Sequence, residues 1–241
     1  MTSEALVYTA IAASANIIGA AAVVSRSRWS LRALETMVAL SAGFMVSVAL
    51  LDLALEAIAT PGRHGGLIIL TGYLLVHLTQ HTFAPHFHFG EEVHAVNRTV
   101  SLSALAGLML HTFVDGVAIA SGFEVSSGLG LLVFFAILLH KLPEGLAISS
   151  LFLAAGESRR RALGAGAALA FASIIGALLT DQVPLLGKYG IALSAGVTLY
   201  VGASNLVPEF QGKSGWRLPA SFFAGCALYY LMRAVIATQR G

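Results

Sequence analysis

Apolar residues in this chain come in long blocks, separated by short polar stretches. They do not alternate as they would on half-buried strands. A membrane-spanning helix needs roughly 17–25 predominantly apolar residues. Eight blocks qualify: 5–25, 33–58, 66–84, 99–122, 127–155, 162–180, 189–210 and 217–237. The pattern predicts an all-α integral membrane protein with eight transmembrane helices, forming one domain over residues 1–241.

Composition sharpens this reading. The chain is 57% hydrophobic and 11% charged, where soluble domains carry about 25% charged residues. The connections are short, so no separate soluble domain is expected. The expected surroundings are a lipid bilayer and no nucleic acid, and a homodimer is compatible with this reading. A single cysteine, Cys226, excludes an internal disulfide and cysteine-rich metal sites.

Charge distribution sets an expected orientation. Residues 1–25 are not patterned as a signal peptide, which begins with basic residues. Here Glu4 precedes the apolar run and Arg26 and Arg28 follow it. With the N-terminus outside, nine Lys and Arg fall on the inner side and four on the outer side. That is the cytoplasmic excess expected of inner loops, so both termini are expected outside. Lys141 belongs to neither group, because it falls inside the fifth block.

Two internal repeats are visible. At an offset of 153, Ala42-Gly43, Asp52-Leu53 and Glu56 in segment 2 match Ala195-Gly196, Asn205-Leu206 and Glu209 in segment 7. Those two segments run in opposite directions, as in the inverted repeats of secondary transporters. At an offset of 29, His-x3-[Asp/Glu]-Gly-x-Ala-Ile-x-Ser occurs twice, from His111 and from His140.

The second repeat carries the chemistry. Ionisable residues near the bilayer centre are costly and usually face a bundle interior or a pathway. Residues four apart share a helical face, so His111 points with Asp115, and His140 with Glu144. If segments 4 and 5 pack side by side, two imidazoles and two carboxylates converge. Gly116, Ala118, Gly145 and Ala147 permit that approach. Such ligands suit Zn²⁺, and also Fe²⁺, Mn²⁺, Co²⁺ or Cd²⁺. Pro143 cannot donate to the Leu139 carbonyl, so segment 5 is expected to kink at the site. Two readings stay open on the residues alone: helix-tying hydrogen bonds and a proton relay.

At these residues the sequence resembles the ZIP (Zrt/Irt-like) metal transporter family. The resemblance rests on HTFVDGVAIASG (111–122) and HKLPEGLAISS (140–150), with AGFMVSVALLDLALEA (42–57) and AGVTLYVGASNLVPE (195–209). It covers nearly the whole chain. It implies zinc uptake into the cytoplasm, with helices 1–3 related to 6–8 around the pair 4 and 5. It also implies a transport site built from His111, Asp115, His140 and Glu144, approached by Met45 in some members. The chain departs from the family pattern at Thr112, Lys141, Ser173 and Val114. The first three fall at the second site of a two-metal arrangement. The expectation is one metal per protomer, with the Lys141 ammonium standing where a second cation would sit.

Other polar residues are weaker candidates. Asp52 and Glu56 are candidates for an entrance, and His77, His81, His86, His88 and Glu209 for an exit. The loop 85–98 is expected to be cytoplasmic and His-rich. Small size and the lack of targeting signals suit a bacterial plasma membrane. Rival functions are a metal exporter and an intramembrane zinc hydrolase. The hydrolase lacks His-Glu-x-x-His and a general base outside the four ligands, so no enzyme is expected.

Overall fold

The computed structural model describes residues 3–25, 31–59, 64–82 and 98–238, and among these there is no strand. The helices are α1 (Ser3–Val24), α2 (31–59), α3 (Gly65–Thr82), α4 (Arg98–Val125), α5 (Ser127–Ala154), α6 (Arg159–Gln182), α7 (184–206) and α8 (Arg217–Thr238). A single turn, Pro208–Gln211, follows α7. Seven of the eight are long and apolar enough to cross a membrane, and α3 contains a shorter apolar stretch. The expected loop 85–98 falls almost entirely outside the described residues.

Local chemistry fixes several ends. The Ser126 side chain accepts from Leu129 N and caps α5. Only that one residue separates α4 from α5, so the two run as an antiparallel pair. Ser158 caps α6 by accepting from Arg161 N, and Pro184 opens α7 where its missing N–H costs nothing.

Packing follows a two-fold pattern. Helix α1 packs on α5 and α6 on α4; α2 packs on α8 and α7 on α3; α2 also meets α5, as α7 meets α4. Exchanging 1 with 6, 2 with 7, 3 with 8 and 4 with 5 maps each of these contacts onto another. This is the inverted repeat of helices 1–3 and 6–8 around the α4–α5 pair.

Eight glycines carry the symmetry to atomic detail. A Cβ on Gly116 would overlap the Ser173 carbonyl, and one on Gly145 the Asn16 carbonyl. Gly176 abuts the Phe113 carbonyl as Gly19 abuts that of Leu142. Gly43 meets Phe222 and Gly225 meets Leu40, as Gly196 meets Ile69 and Gly72 meets Leu193. Each position maps to its counterpart at an offset of 29, 153 or 157. In a membrane, apolar burial gives helices no preference for each other over lipid, so close backbone approach at small residues supplies the attraction.

The same symmetry places a π-turn in each of two helices, at Ala49–Leu53 in α2 and Tyr200–Leu206 in α7. Such i→i+5 turns inside helices often accompany functional sites. Pro143 lies within α5, which stays helical through it. The Leu139 carbonyl that it leaves without a backbone donor is met by the Ser41 hydroxyl of α2 at 2.9 Å, which also lies 2.7 Å from Met37 O. The counterpart of Ser41 is Ser194, whose buried hydroxyl has no partner among the described residues. The reason is Val114: α4 has no proline there and frees no carbonyl.

The α2–α8 contact is fastened at both ends. Glu35 accepts from Lys213 at 3.0 Å and from Arg217 at 2.7 Å. Asp52 accepts from the Tyr229 hydroxyl at 2.7 Å and lies 3.7 Å from Arg233. Asp52 is thereby tied to α8 rather than left facing solvent.

The glycine crossings predict opposite signs for one substitution. Gly116→Ala and Gly145→Ala should each lower stability by about 1–3 kcal/mol, because the neighbouring backbone must move. A Cβ at Gly164 meets nothing within 4 Å, so Gly164→Ala should raise stability by up to about 1 kcal/mol. Thermal unfolding in detergent separates the two classes.

Candidate metal centre

His111 and Asp115 project from one face of α4, and His140, Lys141 and Glu144 from α5. All five are buried, Lys141 completely. The His111, Asp115 and His140 ligand atoms lie within 4.8 Å of one another. Asp115 Oδ2 is the hub, 3.3 Å from His111 Nε2 and 3.4 Å from His140 Nε2. Donors about 2.0–2.1 Å from a tetrahedral zinc ion stand roughly 3.4 Å from one another, so this spacing suits one ion.

The protonation pattern also suits a cation. His140 Nδ1 lies 3.0 Å from the Ala136 carbonyl, which can only accept. In the neutral ring the proton therefore belongs on Nδ1, leaving a lone pair on Nε2 that faces the carboxylate. Two acceptors in contact repel, and an ion between them removes the repulsion. Metal-binding imidazoles are commonly oriented in this way by a hydrogen bond at the other nitrogen. His111 Nδ1 has no partner among the described residues, so its ring is held less firmly.

Glu144 has two differently occupied oxygens. Its Oε1 accepts from the Thr112 hydroxyl at 3.0 Å and lies 3.9 Å from His111 Nε2. Its Oε2 accepts from Lys141 Nζ at 3.0 Å. Lys141 also donates to Asp115 Oδ2 at 2.6 Å. The ammonium thus bridges the two carboxylates. Ser173 of α6 donates to the Thr112 carbonyl at 3.0 Å, so Thr112, Lys141 and Ser173 all adjoin the cluster.

One participant escaped the sequence reading. Asn16 of α1 is fully buried. With its amide nitrogen turned toward the available acceptors, it donates to the Lys141 carbonyl and, at 3.2 Å, to Glu144 Oε2. A repeat could have found it. Ala-Asn-Ile-Ile-Gly-Ala (15–20) matches Ala-Ser-Ile-Ile-Gly-Ala (172–177) at an offset of 157. Asn16 is therefore the counterpart of Ser173, and both act on the residue after a motif histidine.

The remaining candidates lie elsewhere. Met45 is fully buried in the apolar core, with Ile137 of α5 and Ala195 of α7 in the same cluster. His77 is exposed on α3, its ring 5.8 Å from that of Tyr200. Glu56 is half-buried near the end of α2. Glu209 sits on the turn after α7, and the side chains of His81 and Glu209 are outside the described set, as are residues 86 and 88 entirely.

The profile of the family described as ZIP zinc transporter matches residues 85–233. The chain is 29% identical over 160 residues to zinc transporter ZIP9 of Micropogonias undulatus, covering 61% of this chain and 52% of that protein. Zinc transporter YKE4 of Saccharomyces cerevisiae is 24% identical over 182 residues, covering 65% and 52%. Human zinc transporter ZIP13 is 29% identical over 150 residues, covering 55% and 40%. The chain spans about half the length of these relatives, or less. All three are eukaryotic.

The centre predicts a spectroscopic result. Cobalt(II) added to the detergent-solubilised protein should give the visible bands of a low-coordinate N/O site, and Asp115→Ala should abolish them. Asn16→Ala should leave the bands in place but weaken affinity by roughly 10–100-fold, the usual cost of losing a residue that orients a ligand. Titration of both variants checks this.

Proposed function

The chain belongs to the ZIP zinc transporter family, and from that premise we propose that it carries zinc across the membrane into the cytoplasm, one ion per protomer. The observation that carries this reading is the buried cluster on α4 and α5. Asp115 Oδ2 stands 3.3 and 3.4 Å from two imidazole nitrogens, with a second carboxylate beside them.

In this reading His111, Asp115 and His140 bind the ion, and Glu144 joins them through Oε1. Met45 borders the pathway from α2. Thr112 and Asn16 hold the Glu144 carboxylate, and Ser173 holds Thr112. Lys141 takes the position of a second cation, which limits the site to one zinc. Iron, manganese, cobalt and cadmium are secondary substrates, since selectivity follows geometry and availability as much as ligand type.

The pathway alternates access around this site, one helix group rocking against the other. The α2–α8 ion pairs and the glycine contacts favour motion of whole groups over single helices. Asp52 and Glu56 mark the outer side, with Asp52 serving chiefly to anchor α8. His77, His81, His86, His88 and Glu209 mark the inner side. The excess of inner cations supports both termini outside, and the membrane in this reading is a bacterial plasma membrane. An exporter would use the same ligands, and the direction of flux separates the two.

Flux of radioactive zinc into sealed proteoliposomes tests the reading. Wild-type protein should show saturable entry, and His111→Ala and Glu144→Gln should abolish it. Entry that survives both substitutions, or binding without entry in the wild type, would sink the proposal.

A further inference from the structure

The Asp115 oxygen nearest both imidazoles is also the oxygen that holds a lysine. Lys141 Nζ lies 2.6 Å from Asp115 Oδ2 and 3.0 Å from Glu144 Oε2. The ammonium is completely buried. A metal held by Asp115 Oδ2 would therefore share that oxygen with the ammonium, and the two cations would compete for it.

We propose that the Lys141 ammonium is a tethered cation: it fills the empty site in place of the metal and lets the unloaded carrier recross the membrane. This rests on the carrier reading above. When zinc binds, the ammonium gives up Asp115 Oδ2 and keeps Glu144 Oε2. That oxygen is already held by Asn16 at 3.2 Å. The opposite oxygen, Oε1, remains on the His111 side. The lysine releases one of its two partners without leaving the cluster and without losing its proton.

Charge decides why this matters. With neutral imidazoles, two carboxylates and one ammonium give the empty site a net charge of minus one. Zinc brings it to plus one. Without the lysine the loaded site would be neutral and the empty site minus two. The cost of holding charge in a low-dielectric medium rises with its square. The lysine therefore divides the cost evenly between the loaded and the empty passage. Removing it favours the loaded carrier and penalises the empty one.

Two modes of zinc movement expose the difference, both measured in proteoliposomes at zero membrane potential. Net entry into zinc-free vesicles requires the empty carrier to return. Exchange of external radioactive zinc against internal unlabelled zinc does not. In the wild type the two modes should run at comparable rates. In Lys141→Met exchange should persist, zinc should bind at least as tightly by calorimetry, and net entry should fall by roughly tenfold or more, because the returning carboxylates are unpaired. Net entry unchanged in Lys141→Met overturns the proposal. So does equal loss of both modes in a variant that still binds zinc. The wild type alone also decides: net entry far slower than exchange means that the lysine does not support return. A wild type showing neither mode removes the carrier reading itself.

Discussion

Two carboxylates lie in the interior of a membrane protein, and the arrangement of the helices around them answers that burden. Uncompensated buried charge is among the most costly features a structure can hold. Here Asp115 and Glu144 share the Lys141 ammonium. They also collect neutral donors from α1 and α4, through Asn16 and Thr112. Each donor can reach only because its helix approaches closely. The glycine crossings are thus a condition of the electrostatics as well as of packing.

Those crossings come in symmetric pairs, yet the polar residues beside them do not. Thr112 stands opposite Lys141, Ser173 opposite Asn16, and Val114 opposite Pro143. Both Asn16 and Thr112, and the lysine as well, act on Glu144, while Asp115 keeps the contact with both imidazoles. A symmetric frame therefore holds two carboxylates with different contacts: Asp115 meets both imidazoles and the ammonium, and Glu144 meets the ammonium, Asn16 and Thr112. The partnerless Ser194 hydroxyl marks the same asymmetry from the other side. Its counterpart Ser41 serves a carbonyl freed by proline, and α4 offers no such carbonyl.

The sequence by itself determined the elements and which ionisable side chains share a helix face. Long apolar blocks dictate helices in a bilayer, because a backbone polar group there must be satisfied within its own segment. His111 with Asp115, and His140 with Glu144, follow from four-residue spacing on a helix. The inverted relation of α2 to α7 was readable at Ala42-Gly43 and Ala195-Gly196. The stronger match of α1 with α6 was equally present but unread. Its key residue, Asn16, reads as one of a few scattered polar residues in an apolar helix until its partner Ser173 is known to touch the site.

Only the tertiary structure decided which atoms meet. Spacing along one helix cannot say that Lys141 reaches Asp115 of another, nor that Asn16 of α1 reaches Glu144. Those contacts depend on the rotation and depth of packed helices, which glycine–carbonyl approaches between distant parts of the chain fix. Nor can spacing show that Asp52 is bound to Tyr229, since the α2–α8 partnership joins residues 177 positions apart. Local periodicity tells which face a side chain occupies. What that face opposes is a property of the assembled bundle.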